Sequence, residues 1–162
     1  MNKNDFVEQV TAAEAMLYHI SKTILKNDSD CADAVQEAII TAYSKLHSLR
    51  DDRFFKSWLC RILINECYQI CRANKKVVPL EDYMEAEYSM EQRNNLGLFN
   101  AIMELKKDLR LVIVLHYIEG FRTKEMADIL KISEGTVKSR LSRARKELKY
   151  VLGEMEVMFH EQ

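Results

Sequence analysis

Proline occurs once and glycine four times in 162 residues. So few turn-formers exclude a chain of short strands and hairpins and favour long helices. Alternating runs of β-branched residues are missing too; apolar positions recur at helical spacing instead. The expected fold class is all-α. No apolar run is long enough to span a bilayer, and the first residues lack the zones of a signal peptide. The expectation is a cytoplasmic protein without membrane insertion, whose four cysteines stay reduced.

Signatures of catalysis are equally scarce. There is no glycine-rich phosphate loop and no nucleophile elbow. Cys60, Cys67 and Cys71 lie on one side of a helix, but that side is apolar throughout, which reads as core packing rather than a metal or redox site. His19, His47, His116 and His160 form no ligand pattern. Asp33 and Glu37 are four residues apart near a helix start, where acids ordinarily sit for the helix dipole. Neither an enzyme, a metal nor a cofactor is expected.

An overall excess of positive charge is also lacking: the formal net charge is −1. The distribution matters more than the sum. Lys138, Arg140, Arg143, Arg145, Lys146 and Lys149 stand together with only Glu134 and Glu147 among them. Acidic residues gather elsewhere, at Asp28, Asp30, Asp33 and Glu37 and at Glu81, Asp82, Glu85, Glu87 and Glu91. A local basic stripe suffices for phosphate contact, and the acidic segments suit a basic protein partner.

The basic stripe belongs to TKEMADILKISEGTVKSRLSRARKEL, residues 123–148. This reads as a short helix, a turn and a second helix. Gly120 stops a preceding apolar helix as its C′ residue. Thr123 is expected to cap the short helix, which buries Met126, Ala127, Ile129 and Leu130. Ser133 is expected to cap the second, leaving free N–H groups and a positive dipole end for a phosphate. Val137, Leu141, Ala144 and Leu148 fall on one helical side and form an inner seam. Gly135, Ser139, Ser142, Arg143 and Lys146 lie opposite, with Lys138, Arg140 and Arg145 on the flanks. A charge run is ordinarily a solvated face. Here turn, cap, seam and cationic face agree, and the unit reads as a helix-turn-helix presenting its second helix to the major groove of DNA.

Upstream, Phe6, Val10, Ala13, Leu17, Ile20 and Ile24 predict a first helix from about Asp5 to Leu25. Asp30 is expected to cap a second, with Asp33 completing the exchange; it buries Val35, Ile39, Ala42, Tyr43 and Leu46. A polar connection follows over 49–53. The third helix runs from Phe55 to about Arg72 with two faces. Leu59, Cys60, Leu63, Ile64, Cys67, Ile70 and Cys71 are apolar. Arg61, Asn65, Tyr68, Gln69 and Arg72 form a narrow polar stripe able to hold phosphates, meet base edges and stack an unpaired base. Trp58 is expected in the core, and Phe54 is left open. The chain thus divides into a first domain (1–76), a flexible linker (77–91), a second domain (92–153) with the helix-turn-helix, and a tail (154–162). Leu96, Phe99, Ile102 and Met103 mark one helix of the second domain; Leu109, Val112, Ile113, Leu115 and Tyr117 mark the next.

DAVQEAIITAY (33–43), FFKSWLCRILINECY (54–68) and GTVKSRLSRARKEL (135–148) occur in this order. The ordered set resembles the extracytoplasmic-function (ECF) group of bacterial sigma factors, which carry an acidic DxxQE segment, an F-x-x-W-L-x-R-I-x-x-N segment, a linker and a G-T-V-[KR]-S-R-x-x-R-A-R helix. The resemblance covers nearly the whole chain. It implies a dissociable promoter-specificity subunit of core RNA polymerase. The first domain, like family region 2, would bind the polymerase clamp and open the −10 element. The second, like region 4, would read the −35 element as duplex and contact the flap. By the same resemblance Asp33, Gln36 and Glu37 meet the clamp. Leu49 and Asn65 fall at the pocket for a flipped base and Arg61 at the duplex edge, with Tyr68 and Arg72 extending that stripe by geometry. Ser133, Thr136, Lys138, Ser139, Arg140, Ser142, Arg143 and Lys146 fall on the helix at the −35 DNA. The family also implies an anti-sigma partner. The chain departs from the pattern at Tyr43, where tryptophan is common, at Leu49 and Cys60, where aromatics are frequent, and at Lys106, where proline is frequent. Two other readings stay open: a polymerase-independent helix-turn-helix regulator that binds an operator alone, and an interaction protein that occupies the clamp without initiating.

Overall fold

The computed structural model describes residues 1–76 and 96–153. The linker expected over 77–91, the acidic residues Glu81, Asp82, Glu85, Glu87 and Glu91 within it, the expected start of the second domain at Gln92, and the tail over 154–162 lie outside the described residues. Helices and turns make up the described chain and no strand occurs in it, in agreement with the all-α expectation. The described residues fall into two compact units, 1–76 in one and 96–153 in the other.

Three helices build the first unit: α1 (Lys3–Ile24), α2 (Asp28–Ser44) and α3 (Phe55–Lys76). Each packs on the other two. Asn2 starts α1, its side chain accepting from the Asp5 N–H at 2.9 Å. The seam of α1 is buried at Phe6, Ala13, Leu17, Ile20 and Ile24, joined by Met16, while Val10 is only half-buried. Burying a leucine or isoleucine side chain of this kind contributes about 1.5–3 kcal/mol.

Helix α2 departs from expectation in two ways. Its N-cap is Asn27, not Asp30: the Asn27 side chain accepts from the Asp30 N–H at 2.7 Å, so the helix opens earlier. The carboxylate of Asp30 is instead bound by Asn27 Nδ2 at 2.8 Å and by Asn74 Nδ2, from the end of α3, at 3.1 Å. Its buried side is also made of smaller residues than expected: Cys31, Ala34, Val35, Ala38 and Ala42. Ile39 is half-buried, and Leu46 lies beyond the helix in a 3₁₀ turn, Leu46–Ser48. Tyr43 is half exposed, its ring resting against Phe6 at 5.3 Å between centroids. Small side chains let α2 approach its neighbours closely, and the large residues on either side are displaced to the rim.

A second 3₁₀ turn, Asp52–Phe54, leads into α3. Phe55 enters the core against Phe6, while Phe54 is exposed. Leu59, Cys60, Leu63, Ile64 and Cys67 are buried; Ile70 and Cys71 are half-buried. Trp58, expected in the core, is half-buried and tilted against Phe55 at 5.9 Å.

The second unit contains α4 (Leu96–Glu104), α5 (Lys107–Ile113), α6 (Thr123–Leu130) and α7 (Glu134–Leu152). Helix α5 continues into a π-helical turn, Val114–Ile118. Helix α7 is the spine against which α4, α5 and α6 pack. Its seam is buried at Val137, Leu141, Ala144, Leu148 and Leu152. Two residues expected to mark the core stand outside it: Phe99 and Tyr117 are largely exposed. The widened π turn rotates Tyr117 off the α-helical seam, and its hydroxyl accepts from Arg145 Nη1 at 3.0 Å. Met103, Ala127 and Leu130, also expected inside, are half-buried. No helix among the described residues is long and apolar enough to cross a membrane.

Candidate nucleic-acid interface

The helix-turn-helix is shaped by two left-handed residues. Gly120, with φ +77°, ends the π turn as expected, and Phe121 plunges into the core behind it. The second is Lys131, with φ 54°, which closes α6. The Ile132 N–H then returns to the Ala127 carbonyl at 3.1 Å, which also accepts from the Lys131 N–H, so one oxygen closes the helix end. A lysine in this conformation costs about 1 kcal/mol relative to glycine.

Thr123 does not cap α6; it is the first helical residue. The Glu125 carboxylate instead accepts from the Arg122 N–H at 3.3 Å and from Arg122 Nε at 2.9 Å. The Thr123 hydroxyl reaches across to α7 and donates to Glu134 Oε1 at 2.9 Å. The same oxygen lies 3.6 Å from Lys138 Nζ. The Thr123 bond first and Lys138 second hold the Glu134 carboxyl below the usual range.

Ser133 caps α7 as expected, accepting from the Thr136 N–H at 3.1 Å. Its hydroxyl also shares a 2.8 Å hydrogen bond with that of Thr136. Both candidate DNA contacts at the helix start are therefore also structural. Along α7, Lys138, Ser139, Arg143 and Lys146 are exposed, while Arg140 and Ser142 are half-buried. None of them lies on the buried seam.

In the first unit the polar stripe of α3 is separate from its apolar side. Asn65 and Arg72 are exposed; Arg61 and Tyr68 are half-buried. Leu49 is half-buried in the connection before α3. That connection has an organiser which sequence reading passed over as merely polar. Asp51 accepts from the Arg53 N–H at 3.0 Å and is bound by the Arg53 guanidinium at 2.7 Å. These bonds hold the Asp51 carboxyl below its ordinary pKa and raise that of Arg53. The Asp-x-Arg spacing, with an aspartate two residues before its backbone donor, was the available signal.

Asp33, Gln36 and Glu37 are all exposed on the side of α2 away from Ala34 and Ala38. Gln36 also lines a groove between α1 and α2 with Val10, Leu17, Tyr18, Val35 and Ile39. The acidic face is thus bordered by a mainly apolar groove that also holds Thr11 and Glu14, which the spacing of the acids alone did not reveal.

Burial pushes the Cys67 thiol up to about 12 and raises that of Cys31, which keeps both protonated near neutral pH. Among the described residues no group of His, Cys, Asp and Glu is arranged to hold a metal ion.

Comparison with known proteins gives these surfaces a context. Residues 10–77 match sigma-70 region 2, and residues 97–148 match sigma-70 region 4. The chain is 33% identical to the ECF RNA polymerase sigma factor SigM of Mycobacterium tuberculosis, over 85% of this chain and 71% of that protein. It is 35% identical to the ECF RNA polymerase sigma-E factor of Escherichia coli, over 72% of this chain and 70% of that protein. Among solved structures, the sigma factor RpoE in complex with the anti-sigma factor NepR from Bartonella quintana is similar, with a TM-score of 0.76 at 26% identity over 92% of this chain and 97% of that one. CnrH in complex with the cytosolic domain of CnrY gives a TM-score of 0.73 at 26% identity, over 94% of this chain and 90% of that one.

Proposed function

The chain belongs to the ECF group of RNA polymerase sigma factors, a family of transcription initiation factors rather than enzymes, and we propose that it directs core polymerase to promoters by reading the −35 element as duplex and opening the −10 element. The observation that carries this reading is that one chain holds matches to both sigma regions, each with an exposed polar surface on the matched helices. The first domain (1–76) acts at the −10 element and the clamp, the second (92–153) at the −35 element and the flap, with 77–91 as the linker between them.

The division of labour follows from the residues. Asp33, Gln36 and Glu37 offer two carboxylates and an amide to a basic helix on the polymerase clamp. Asn65 and Leu49 receive a base flipped from the non-template strand, and Arg61, Tyr68 and Arg72 hold its neighbours. Flipping a base costs a few kcal/mol, and each base stacked on a side chain returns about 1–3 kcal/mol. Along α7, Ser133 and Thr136 present the helix start to a phosphate, while Lys138, Ser139, Arg140, Ser142, Arg143 and Lys146 meet the groove. Neither surface needs to bind tightly alone. Joined on one chain and held by polymerase, each raises the effective concentration of the other. The protein works in the cytoplasm, where polymerase is, and an anti-sigma partner holds it in reserve, as the complexes of its structural relatives suggest.

Run-off transcription with bacterial core polymerase on genomic fragments from the source tests the reading. New transcripts with shared upstream sequences are expected only when the protein is added. Stable binding to core without transcripts would overturn the initiation role. Tight operator binding by the protein alone, without polymerase, would favour an independent regulator.

A further inference from the structure

Helix α7 carries several cations along its outer side; Arg145 is tied to the Tyr117 hydroxyl, and Lys138 is held by an acid. Lys138 Nζ lies 3.6 Å from Glu134 Oε1, one helical turn earlier. An exposed i, i+4 pair of this kind is ordinarily mobile and worth little to stability. This one differs because its acid is fixed from outside the helix. The Thr123 hydroxyl of α6 donates to the same oxygen at 2.9 Å. The carboxylate therefore has a bond that holds it beside Lys138 even when the lysine moves.

We infer that Glu134 is a positioning residue that restrains Lys138 from sequence-independent phosphate binding. The inference rests on the proposal that α7 faces DNA. Neutralised by Glu134, Lys138 adds little to the release of counterions that drives non-specific binding. A phosphate that approaches the lysine also meets the negative carboxylate. A base edge is different. The ammonium has three donors; with one turned to Glu134, two remain for the oxygen and ring nitrogen of a guanine, which carry no full charge. The arrangement weakens the wrong contact more than the right one, which is how a repulsive element produces specificity. The affected quantity is the ratio of specific to non-specific affinity, because non-specific sites vastly outnumber promoters.

The test is binding of the full chain to a fluorescent duplex without promoter elements, followed by anisotropy over a range of salt. Glu134→Gln keeps an oxygen for the Thr123 hydroxyl and removes the charge. It is expected to steepen the dependence of log Kobs on log salt by about 0.9, the value of one added phosphate contact. In a Lys138→Gln background the same substitution should leave the slope unchanged. That second arm separates action through Lys138 from a general loss of negative charge, and a merely structural role would move neither slope. An equal change in both backgrounds, or no change in either, would overturn the inference. The run-off assay judges the sigma reading separately: if transcripts appear while the slope ignores Glu134, only the present inference is lost.

Discussion

The guanidinium of Arg110 in α5 donates through Nη1 to the Met103 carbonyl at the end of α4, at 2.9 Å, and Arg110 is buried. A carbonyl that α4 leaves open is thus closed by a charged donor from the next helix. Between them, Lys106 has φ −57°, the angle a proline imposes, which accounts for the proline frequent at this position in the family.

Arg110→Met is expected to destabilise the second unit by about 2–3 kcal/mol, the range for losing a hydrogen bond to a charged group plus stranding its acceptor. Thermal unfolding of the full chain would measure it. An unchanged melting temperature would show that water replaces the bond without cost.

Ser133→Ala should cost the second unit about 1 kcal/mol, because the Thr136 N–H loses its acceptor at the start of α7. Ser133→Asp should restore most of it. Urea titrations of the two variants would separate the cap from any DNA contact, since no DNA is present.

Lys131→Gly is expected to raise stability by about 0.5 kcal/mol, the strain of a left-handed lysine less the added entropy of glycine in the unfolded chain. Lys131→Val should lower it, since a β-branched side chain fits that conformation poorly. Equal midpoints for all three chains would contradict a strained turn.

Thiol reactivity should separate the cysteines. With its pKa raised to about 12, Cys67 should resist alkylation at pH 8 in the folded protein and react on unfolding. The shift also has a stability consequence with a definite sign. Between the unfolded value of 9.0 and about 12 the unfolded chain has lost this proton and the folded one keeps it, so stability is full below pH 9 and falls as pH rises through that window. Cys67→Ala should reduce the alkaline part of that decline in a pH series of melting curves.

Function should divide between the two faces of the first unit. Asn65→Ala and Arg61→Ala are expected to lower promoter opening by about tenfold or more, as the loss of one base contact implies, while binding to core polymerase persists. Glu37→Lys should instead weaken binding to core polymerase itself, and opening falls with it. Permanganate footprinting of unpaired thymines reads the first effect and co-purification with core reads the second.

Much of the fold was legible in the sequence because an α-helix repeats over a few residues. The seam of α7 at Val137, Leu141, Ala144 and Leu148 is such a repeat, and it is buried as spaced. The Ser133 cap and the Gly120 stop were legible for the same local reason. Less legible was the start of α2, where Asn27, Asp28, Ser29 and Asp30 are all capable caps in succession; packing and the Asn74 side chain chose Asn27. Tyr43 satisfied the spacing of a core residue, but Ala38 and Ala42 took the close contact and left it at the rim. In the candidate site, the residue types along α3 and α7 were readable, yet Glu134 read only as a stray acid among cations.

The sequence alone determined the all-α class, the helical seams, the cationic face of α7 and the ordered motifs that mark the family. Each depends on neighbours within a turn or two of backbone, whose geometry is the same in any helix. The tertiary structure alone decided which side chains bond between one helix and the next. Thr123 and Glu134 are eleven residues apart, Arg110 and Met103 seven, Arg145 and Tyr117 twenty-eight. Those distances are set by how whole helices pack, and a hydrogen bond that tolerates only a few tenths of an ångström cannot be read from spacing along the chain.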